Sequence, residues 1–324
     1  MKDKIYIDGL DAFIKYGISV EEDGYKDLIA FPPLKSVTHN DWHEEDGIEP
    51  DLSDPVLNIK EFTVPFIFSG TQGRFEAFIE QLSDMAYHEF YFKEIERSYK
   101  LRLVSQSKIE IFPDLKKATL QFADDCPPVR NKTQLPPQSS IPTYDDYELN
   151  GTKLTDYGIR VLAGSLEEIE KSPVVKPNML RNITSQSGAI YDGGSPVTFK
   201  SKDVKINCLM RAASLTELWR NYDAFLQELI KPGLLNLYVN RTGYEYPCYY
   251  KNCSVSKFYA TDKIWLEFSL TLVFTSFRVT PDEYILATEN GDWIILEDNI
   301  SAIDLQETLR IKNNTLKTSI SWQL

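Results

Sequence analysis

Two histidines four residues apart are the part of this chain that comes nearest to a metal site. His39 and His43 stand among several carboxylates, and on a helix this spacing would place both imidazoles on one face. Gly47 and nearby prolines indicate a loop instead, and the ordinary interpretation is a solvated acidic loop at a subunit contact. His39 and His43 are therefore only weak candidates for metal ligands, and no metal or other cofactor is expected.

Other residues that could do chemistry lack their partners. Cys248 and Cys253 lie close together, but no second cysteine pair or nearby histidine completes a zinc set, so we interpret them as structural thiols. The Asp-Gly-Gly-Ser sequence at 192–195 lacks the lysine and the spacing of a phosphate-binding loop. No Gly-x-Ser-x-Gly nucleophile motif occurs. We expect no catalysis.

Paired carboxylates leave one enzymatic alternative open. Asp124-Asp125 and Asp145-Asp146 could in principle serve a glycosidase. They fall at the end of a predicted strand and in a predicted linker, where solvated charge is the ordinary explanation. A hydrolase would require a concave pocket that gathers at least two carboxylates.

Aromatic residues make up 12% of the chain, and four tyrosines cluster between positions 244 and 250. Such a cluster could form a platform for sugars, and a carbohydrate-binding β-sandwich protein is the main alternative function. On and beside a strand, packing in the core or at an interface is the favoured interpretation. The candidate interface residues are Trp42, Tyr191, Tyr244 and Tyr246.

Composition narrows the class of protein. The chain has 324 residues, enough for two domains, and a net charge of −13 argues against a protein that grips nucleic-acid phosphates. No apolar run is long enough to span a membrane, and no secretion signal is expected. The four cysteines do not recur at matching places, and we expect reduced thiols in a protein made in the cytoplasm.

The chain contains the same opening twice. Both openings have a short strand, a turn with glycine, and then a Tyr-Gly-Ile sequence. The two Tyr-Gly pairs start at positions 16 and 157, which are 141 residues apart. A repeat of this length has the size of a domain and is too long for a solenoid unit.

Each repeat continues with the same succession of elements. A long polar stretch, 21–59 or 163–199, precedes an alternating strand at 62–68 or 204–210. An amphipathic helix follows, with its apolar face at 75–82 or 215–229. Short strands then close each repeat: 90–92, 101–104, 108–112 and 118–122 in the first, and 235–239, 246–250, 253–259 and 264–274 in the second.

These elements predict a mainly β fold with α-helices, of the α+β type. Two tandem antiparallel β-sandwich or barrel domains, each with one packed helix, are expected at 1–125 and 147–277. A proline-rich linker at 126–146 separates them as a semi-rigid spacer, and a small C-terminal β extension occupies 278–324.

The second repeat resembles the N-terminal domain of phage distal tail proteins, within the wider tail-tube family. The resemblance rests on the opening Leu-Asn-Gly turn and Tyr-Gly pair at 149–159, the strand at 204–210, the helix at 215–229 and the last aromatic strand. The first repeat, at about 5–125, matches more loosely. The chain differs from the distal tail pattern because both halves look tube-like.

The resemblance implies a structural protein of a phage or prophage tail or baseplate, assembled in the host cytoplasm. Members of the family associate side by side into rings around a lumen through which DNA passes without specific binding. Two tube domains in one chain favour a trimer with pseudo-sixfold symmetry, and one tube domain would give a hexamer. The partners implied are other chains of the same kind and neighbouring tail or baseplate proteins. The long loops at 21–59 and 163–199, with edge strands, are expected to make the contacts.

Overall fold

The computed structural model describes residues 4–21, 24–69, 72–111, 116–127, 135–144, 146–177, 180–191, 197–261 and 263–276. The predicted C-terminal extension and part of the predicted linker lie outside these residues. No helix in the described ranges is long and apolar enough to cross a bilayer.

The first half of the molecule, before the linker, forms a curled antiparallel sheet. In chain order its elements are β1 (Ile5–Ile7), β2 (Leu10–Asp11), α1 (Ala12–Tyr16), β3 (Ile18–Val20), α2 (Lys26–Ile29), β4 (His39–Asn40), β5 (Glu49–Pro50), β6 (Lys60–Phe68), α3 (Gln72–Asp84), β7 (His88–Phe92), β8 (Arg97–Ile111) and β9 (Lys116–Asp124). Seven strands lie in the order β2-β1-β7-β8-β9-β6-β3. Strand β1, near one edge, contacts β3 at the other, so the sheet curls around its core.

The second half, after the linker, repeats this topology. Its elements are β10 (Tyr147–Leu149), β11 (Thr152–Lys153), a 3₁₀ helix (Leu154–Tyr157), β12 (Ile159–Val161), α4 (Ser165–Glu170), β13 (Leu180–Asn182), β14 (Ala189–Tyr191), β15 (Lys202–Ala212), α5 (Leu215–Leu229), β16 (Leu235–Val239), β17 (Tyr244–Tyr259) and β18 (Ile264–Phe274). The strand order is β11-β10-β16-β17-β18-β15-β12, which matches the first sheet strand for strand.

One helix packs on each sheet through the face that the sequence predicts. Phe78 of α3 meets Phe66 of β6 with ring centroids 6.0 Å apart, and Phe225 of α5 meets Phe268 of β18 at 6.4 Å. The predicted fold class, mainly β with a packed helix in each half, is confirmed. The exact domain boundaries stay a prediction.

Two glycines explain why the opening motif recurs. Gly17 and Gly158 follow the first helical turn of each half with φ of 75° and 72°, a left-handed conformation that favours glycine. A Cβ atom at Gly17 would lie 2.0 Å from the carbonyl oxygen of Ser69, and one at Gly158 would lie 2.5 Å from that of Arg211. Each Tyr-Gly pair therefore turns the chain tightly against the strand that follows the long loop.

The number of closing strands was predicted wrongly in both halves. The segment at 101–104 and the described part of the segment at 108–112, up to Ile111, belong to one strand, β8, and those at 246–250 and 253–259 belong to β17. Each strand shifts register twice against its neighbour, first after Leu103 and after Tyr250. A bulge moves the alternation of buried and exposed residues by one position, so a continuous strand reads as two.

Candidate assembly interface

Both halves carry a long arm of the same construction. The first arm is residues 30–59, between α2 and β6, and the second is 171–201, between α4 and β15. In each, an isolated bridge leads into a hairpin: Leu34 pairs with Leu57 before β4 and β5, and Val175 pairs with Phe199 before β13 and β14.

The lysine that opens the strand after each arm holds the end of the short helix before it. The Lys60 ammonium donates to the carbonyl of Leu28 at 2.8 Å, and that of Lys202 donates to the carbonyl of Ile169 at 2.6 Å. A cation at the carboxyl end of a helix satisfies carbonyls that have no partner within the helix. Burial lowers the pKa of Lys60 to about 7.

The first arm docks on the second half of the same molecule. Phe31 is only 3% exposed and stacks on Tyr222 of α5 with ring centroids 4.0 Å apart. The Tyr222 hydroxyl donates to the carbonyl of Ile29, and the Tyr250 hydroxyl to that of Pro32, both at 2.9 Å. The buried core is therefore continuous between the two halves.

Main-chain hydrogen bonds extend this contact along the arm. The N–H of Leu34 donates to the carbonyl of Lys251 in β17 at 2.9 Å. Near the tip, the N–H of Gly47 donates to the carbonyl of Phe199 at 2.7 Å, and that of Ile48 donates to the carbonyl of Thr275 at 3.0 Å. These bonds fix the register of the first arm on the second half.

Lys176 anchors the tip of the first arm. Its side chain is only 4% exposed and forms an ion pair with Asp41 at 2.7 Å. The same ammonium donates to the carbonyls of Trp42, Glu45 and Gly47 at 2.5, 2.7 and 2.8 Å. One buried ammonium, with three N–H donors, thus holds four oxygens of the acidic loop together.

The two halves also meet through an arginine. Arg97, the first residue of β8, forms an ion pair with Asp223 of α5 at 2.7 Å. Its guanidinium lies 4.6 Å from the ring centroid of Trp219, and the Trp219 indole donates to the carbonyl of Ile95 at 2.6 Å. Ion pair, ring face and hydrogen bond together tie α5 to the first half.

The linker packs on α5 where it is described. The N–H and hydroxyl of Ser140 both donate to Glu217 at 2.7 Å, and the N–H of Gln138 donates to the side chain of Asn221 at 2.8 Å. The expected spacer is therefore attached to the second half along residues 138–140.

The histidine pair has no helical geometry. His39 lies in the two-residue strand β4 and is exposed, with Nδ1 3.3 Å from the carbonyl oxygen of Val37. The carbonyl of His43 accepts a hydrogen bond from Thr198 at 2.8 Å, so this residue is held by its main chain. Among the described residues, no group of three or more His, Cys, Asp or Glu side chains could hold a metal ion.

Of the predicted interface residues, Tyr246 lies in the core of the chain, and Tyr244 is partly buried. Tyr246 is 2% exposed and stacks on Phe274 at 5.2 Å, and Tyr244, two positions earlier, packs partly buried against the core. Both lie on the inner face of β17 because alternate residues of a strand share a face. Burial removes Tyr246 from any surface platform for sugars.

The other two interface candidates lie on the arms. Trp42 is 52% exposed at the tip of the first arm, and its indole donates to Glu49 at 3.2 Å. Tyr191 ends β14 in the second arm, where only its main chain is described. Phe31 and Lys176 were missed, although an aromatic residue followed by two prolines after a short helix marks a rigid apolar segment.

An arginine side chain binds one carboxylate of the acidic pair at the end of β9. Burial raises the pKa of Asp124, whereas hydrogen bonding to Arg102 lowers that of Asp125. In a catalytic pair of carboxyl groups, the surroundings push the two pKa values apart so that one group is an acid and the other a base. Arg102 engages both oxygens of Asp125, at 2.7 and 3.0 Å, so the lowered pKa has a structural cause.

An open cleft in the first arm does gather two carboxylates, Asp51 and Asp54. The hydroxyl and N–H of Ser53 donate to Asp51 at 2.7 and 3.1 Å, and these bonds lower its pKa. A glycosidase needs a carboxyl whose pKa is raised, so that it can give up a proton near neutral pH. The cleft therefore gives the hydrolase alternative no support.

The cysteines are all free thiols. Burial raises the pKa of Cys248 and of Cys253 to about 12, which makes both thiols unreactive at neutral pH. This agrees with the interpretation of the two residues as structural.

Among the described residues, the second arm is covered only where the tip of the first arm buries Lys176 and Thr198. Five of its apolar side chains are between 36% and 71% exposed: Val174, Val175, Ile183, Ile190 and Val197. The first arm also has exposed apolar residues, Trp42, Val56 and Ile59 at 45–52%, but it buries Phe31, Leu52 and Leu57 to at most 7% exposure. Scattered exposed apolar residues are normal, but several on one arm mark a surface that can bind a protein.

No family model matches the chain, and no curated protein matches it. Among solved structures, the chain is similar to one described as the crystal structure of the SPP1 Dit (gp 19.1) protein, a paradigm of the hub adsorption apparatus in phages that infect Gram-positive bacteria. Identity is 13%, with 85% of this chain and 99% of that chain covered, and the TM-score is 0.30. At this TM-score the similarity is too weak to establish a shared architecture.

Proposed function

We propose that this chain is a non-catalytic structural protein of a phage or prophage tail or baseplate, which self-associates into a ring around the DNA channel. The virion tail would be its final location, after assembly in the cytoplasm of the host. Neighbouring tail or baseplate proteins would bind the two faces of the ring.

One observation supports this proposal above all: the arm of one half docks on the sheet of the other. Both halves have the same strand order and the same kind of arm. A contact between two similar units can recur between molecules, and recurrence in one rotational sense generates a ring when the rotation closes. The interface within one molecule is thus a template for the interface between molecules.

The negative net charge of the chain is compatible with a channel through which DNA passes. The net charge of −13 gives a surface that repels the phosphate backbone, so DNA would pass without sticking. With two similar halves in each molecule, three molecules would present six units, and we propose a trimer with pseudo-sixfold symmetry in preference to a hexamer.

Electron microscopy of the purified protein tests the proposal directly. Negative-stain images should show closed rings with a central channel, and light scattering after size-exclusion chromatography should give the number of molecules. Peptides of this chain should also be found by mass spectrometry in purified tails. A protein that stays monomeric at every concentration and is absent from particles would refute the proposal.

A further inference from the structure

We infer that the second arm docks on the first half of another molecule of this chain, and so repeats between molecules the contact that the first arm makes within one. This inference rests on the proposed self-association and names its two surfaces. One is the exposed second arm around Val175, and the other is the part of β8 around Val104.

The second arm offers a main-chain N–H donor at the position where Leu34 donates in the first arm. Leu34 and Val175 are the bridge residues of the two arms, paired with Leu57 and Phe199. The N–H of Leu34 donates to the carbonyl of Lys251 in the other half at 2.9 Å. Within the described part of the chain, the N–H of Val175 makes no hydrogen bond. The second arm therefore presents, at the same place, a donor that another molecule can satisfy.

Strand β8 offers a main-chain acceptor at the position that Lys251 has in β17. Lys251 is the extra residue of the bulge that follows Tyr250 in β17, and Val104 is the extra residue of the bulge that follows Leu103 in β8. Because the two sheets share one strand order, these bulges occupy the same place in each half. The carbonyl of Val104 is thus the counterpart of the acceptor that Leu34 uses.

Apolar surface is exposed on both sides of the proposed contact. Val104 is 38% exposed and Ile109, further along β8, is 44% exposed. On the arm, Val174 and Val175 are 71% and 44% exposed. In the second half, the corresponding strand β17 is in contact with α2, and Val255 is only 8% exposed. Lys251, the counterpart of Val104, keeps a side chain that is 48% exposed. Docking in the same way would therefore bury Ile109, the counterpart of Val255, and leave Val104 at the rim.

The contact between molecules lacks two features of the contact within one. Phe31 stacks on Tyr222, but the residue 141 positions after Phe31 is Ser172, which is exposed. Phe75, which holds in α3 the place of Tyr222 in α5, has no hydroxyl to donate. The contact between molecules is consequently the weaker one, and assembly depends on concentration.

Single charged variants of the full chain test the inference. Ile109→Glu and Val175→Lys each place a charge on an apolar residue of the proposed contact, whereas Val104→Glu adds one at its exposed rim. Sedimentation velocity should show the dissociation constant raised about tenfold or more by Ile109→Glu and by Val175→Lys, and changed by less than about threefold by Val104→Glu. Ile14→Glu, at a residue of α1 that is 71% exposed, is the matched control and should leave association unchanged.

Each other outcome has a definite meaning. A wild-type chain that never associates refutes both the proposed function and this inference. If the wild type assembles but Ile109→Glu and Val175→Lys match it, the inference fails while the proposed function stands. If Ile109→Glu lowers the melting temperature and leaves association unchanged, a segment of the same chain covers β8, and the inference is also overturned.

Discussion

The two arms of this molecule share a construction and differ in burial. Each leaves a short helix, forms one bridge, turns through a hairpin and ends at a lysine that donates to the helix behind it. The first arm buries Phe31 at 3% exposure against the second half, while Val174 of the second arm is 71% exposed. Arms of the same construction thus differ in how much apolar surface they bury, because, of the arm residues that the structure describes, only those of the first arm enter the core of the other half.

Two lysines at equivalent positions of the arms differ in burial. Lys35 and Lys176 each follow the bridge residue of their arm, and their N–H groups donate to matching carbonyls, of Val56 and Thr198. Lys35 is exposed, whereas Lys176 is buried by the tip of the first arm. The same residue type is a surface charge in one half and an anchor in the other.

The largest effect is expected where the first arm enters the core. Phe31→Ala removes the ring that stacks on Tyr222 and leaves a cavity, which should lower the free energy of unfolding by about 3–5 kcal/mol. Urea unfolding followed by circular dichroism measures this. Val174→Ala, on the exposed arm, should change the stability of the monomer by less than about 0.5 kcal/mol. Equal effects of the two changes would contradict the contrast between the arms.

The lysine pair should give the next largest difference. Lys176→Met leaves three carbonyls of the first arm without their donor, and unsatisfied buried polar groups should lower stability by about 2–3 kcal/mol. Lys35→Met should have almost no effect, because Lys35 is exposed. Hydrogen exchange should also accelerate for the amides of residues 41–49 in the Lys176 variant alone. Unchanged exchange there would show that Lys176 does not hold the arm.

A double-mutant cycle would sharpen the account of the junction between the halves. Arg97 and Asp223, 2.7 Å apart and partly buried, should show a coupling energy of about 1–2 kcal/mol when each is changed to Ala. Lys257 and Glu267, 3.9 Å apart and more exposed, should couple by only about 0.2–0.5 kcal/mol. Similar coupling in both pairs would mean that Arg97 adds nothing specific to the junction.

The smallest effect is a dependence on acid pH. Hydrogen bonding to Lys176 lowers the pKa of Asp41 below its ordinary value of 3.8. The unfolded chain therefore binds the proton more tightly, and the stabilisation from this pair, present above about pH 4, is lost as the pH falls through the lowered pKa. Unfolding midpoints measured from pH 6 to pH 2 should fall slightly less steeply for Asp41→Asn than for the wild type. Asp54→Asn, with no ion pair among the described residues, should not flatten the acid limb.

Much of the fold could be predicted because the relevant signals are local. Alternation at 62–68 and 204–210 corresponds to β6 and β15, and the helical stripes correspond to α3 and α5. The predicted breaks in β8 and β17 were wrong because a bulge shifts the alternation without ending the strand. Aromatic residues suit both a core and an interface, and only the strand register shows that Tyr246 faces the core.

By itself the sequence determined that two similar units follow one another in this chain. Strands and helices follow from apolar periods of 2 and 3.6 residues, which are visible within a few positions of the sequence. The left-handed turns at Gly17 and Gly158 are equally local. Only the tertiary structure decided which arm is covered, because burial depends on contacts between distant residues. Phe31 and Tyr222 are 191 positions apart, and no local pattern in the first arm indicates that the ring of Tyr222 lies against it.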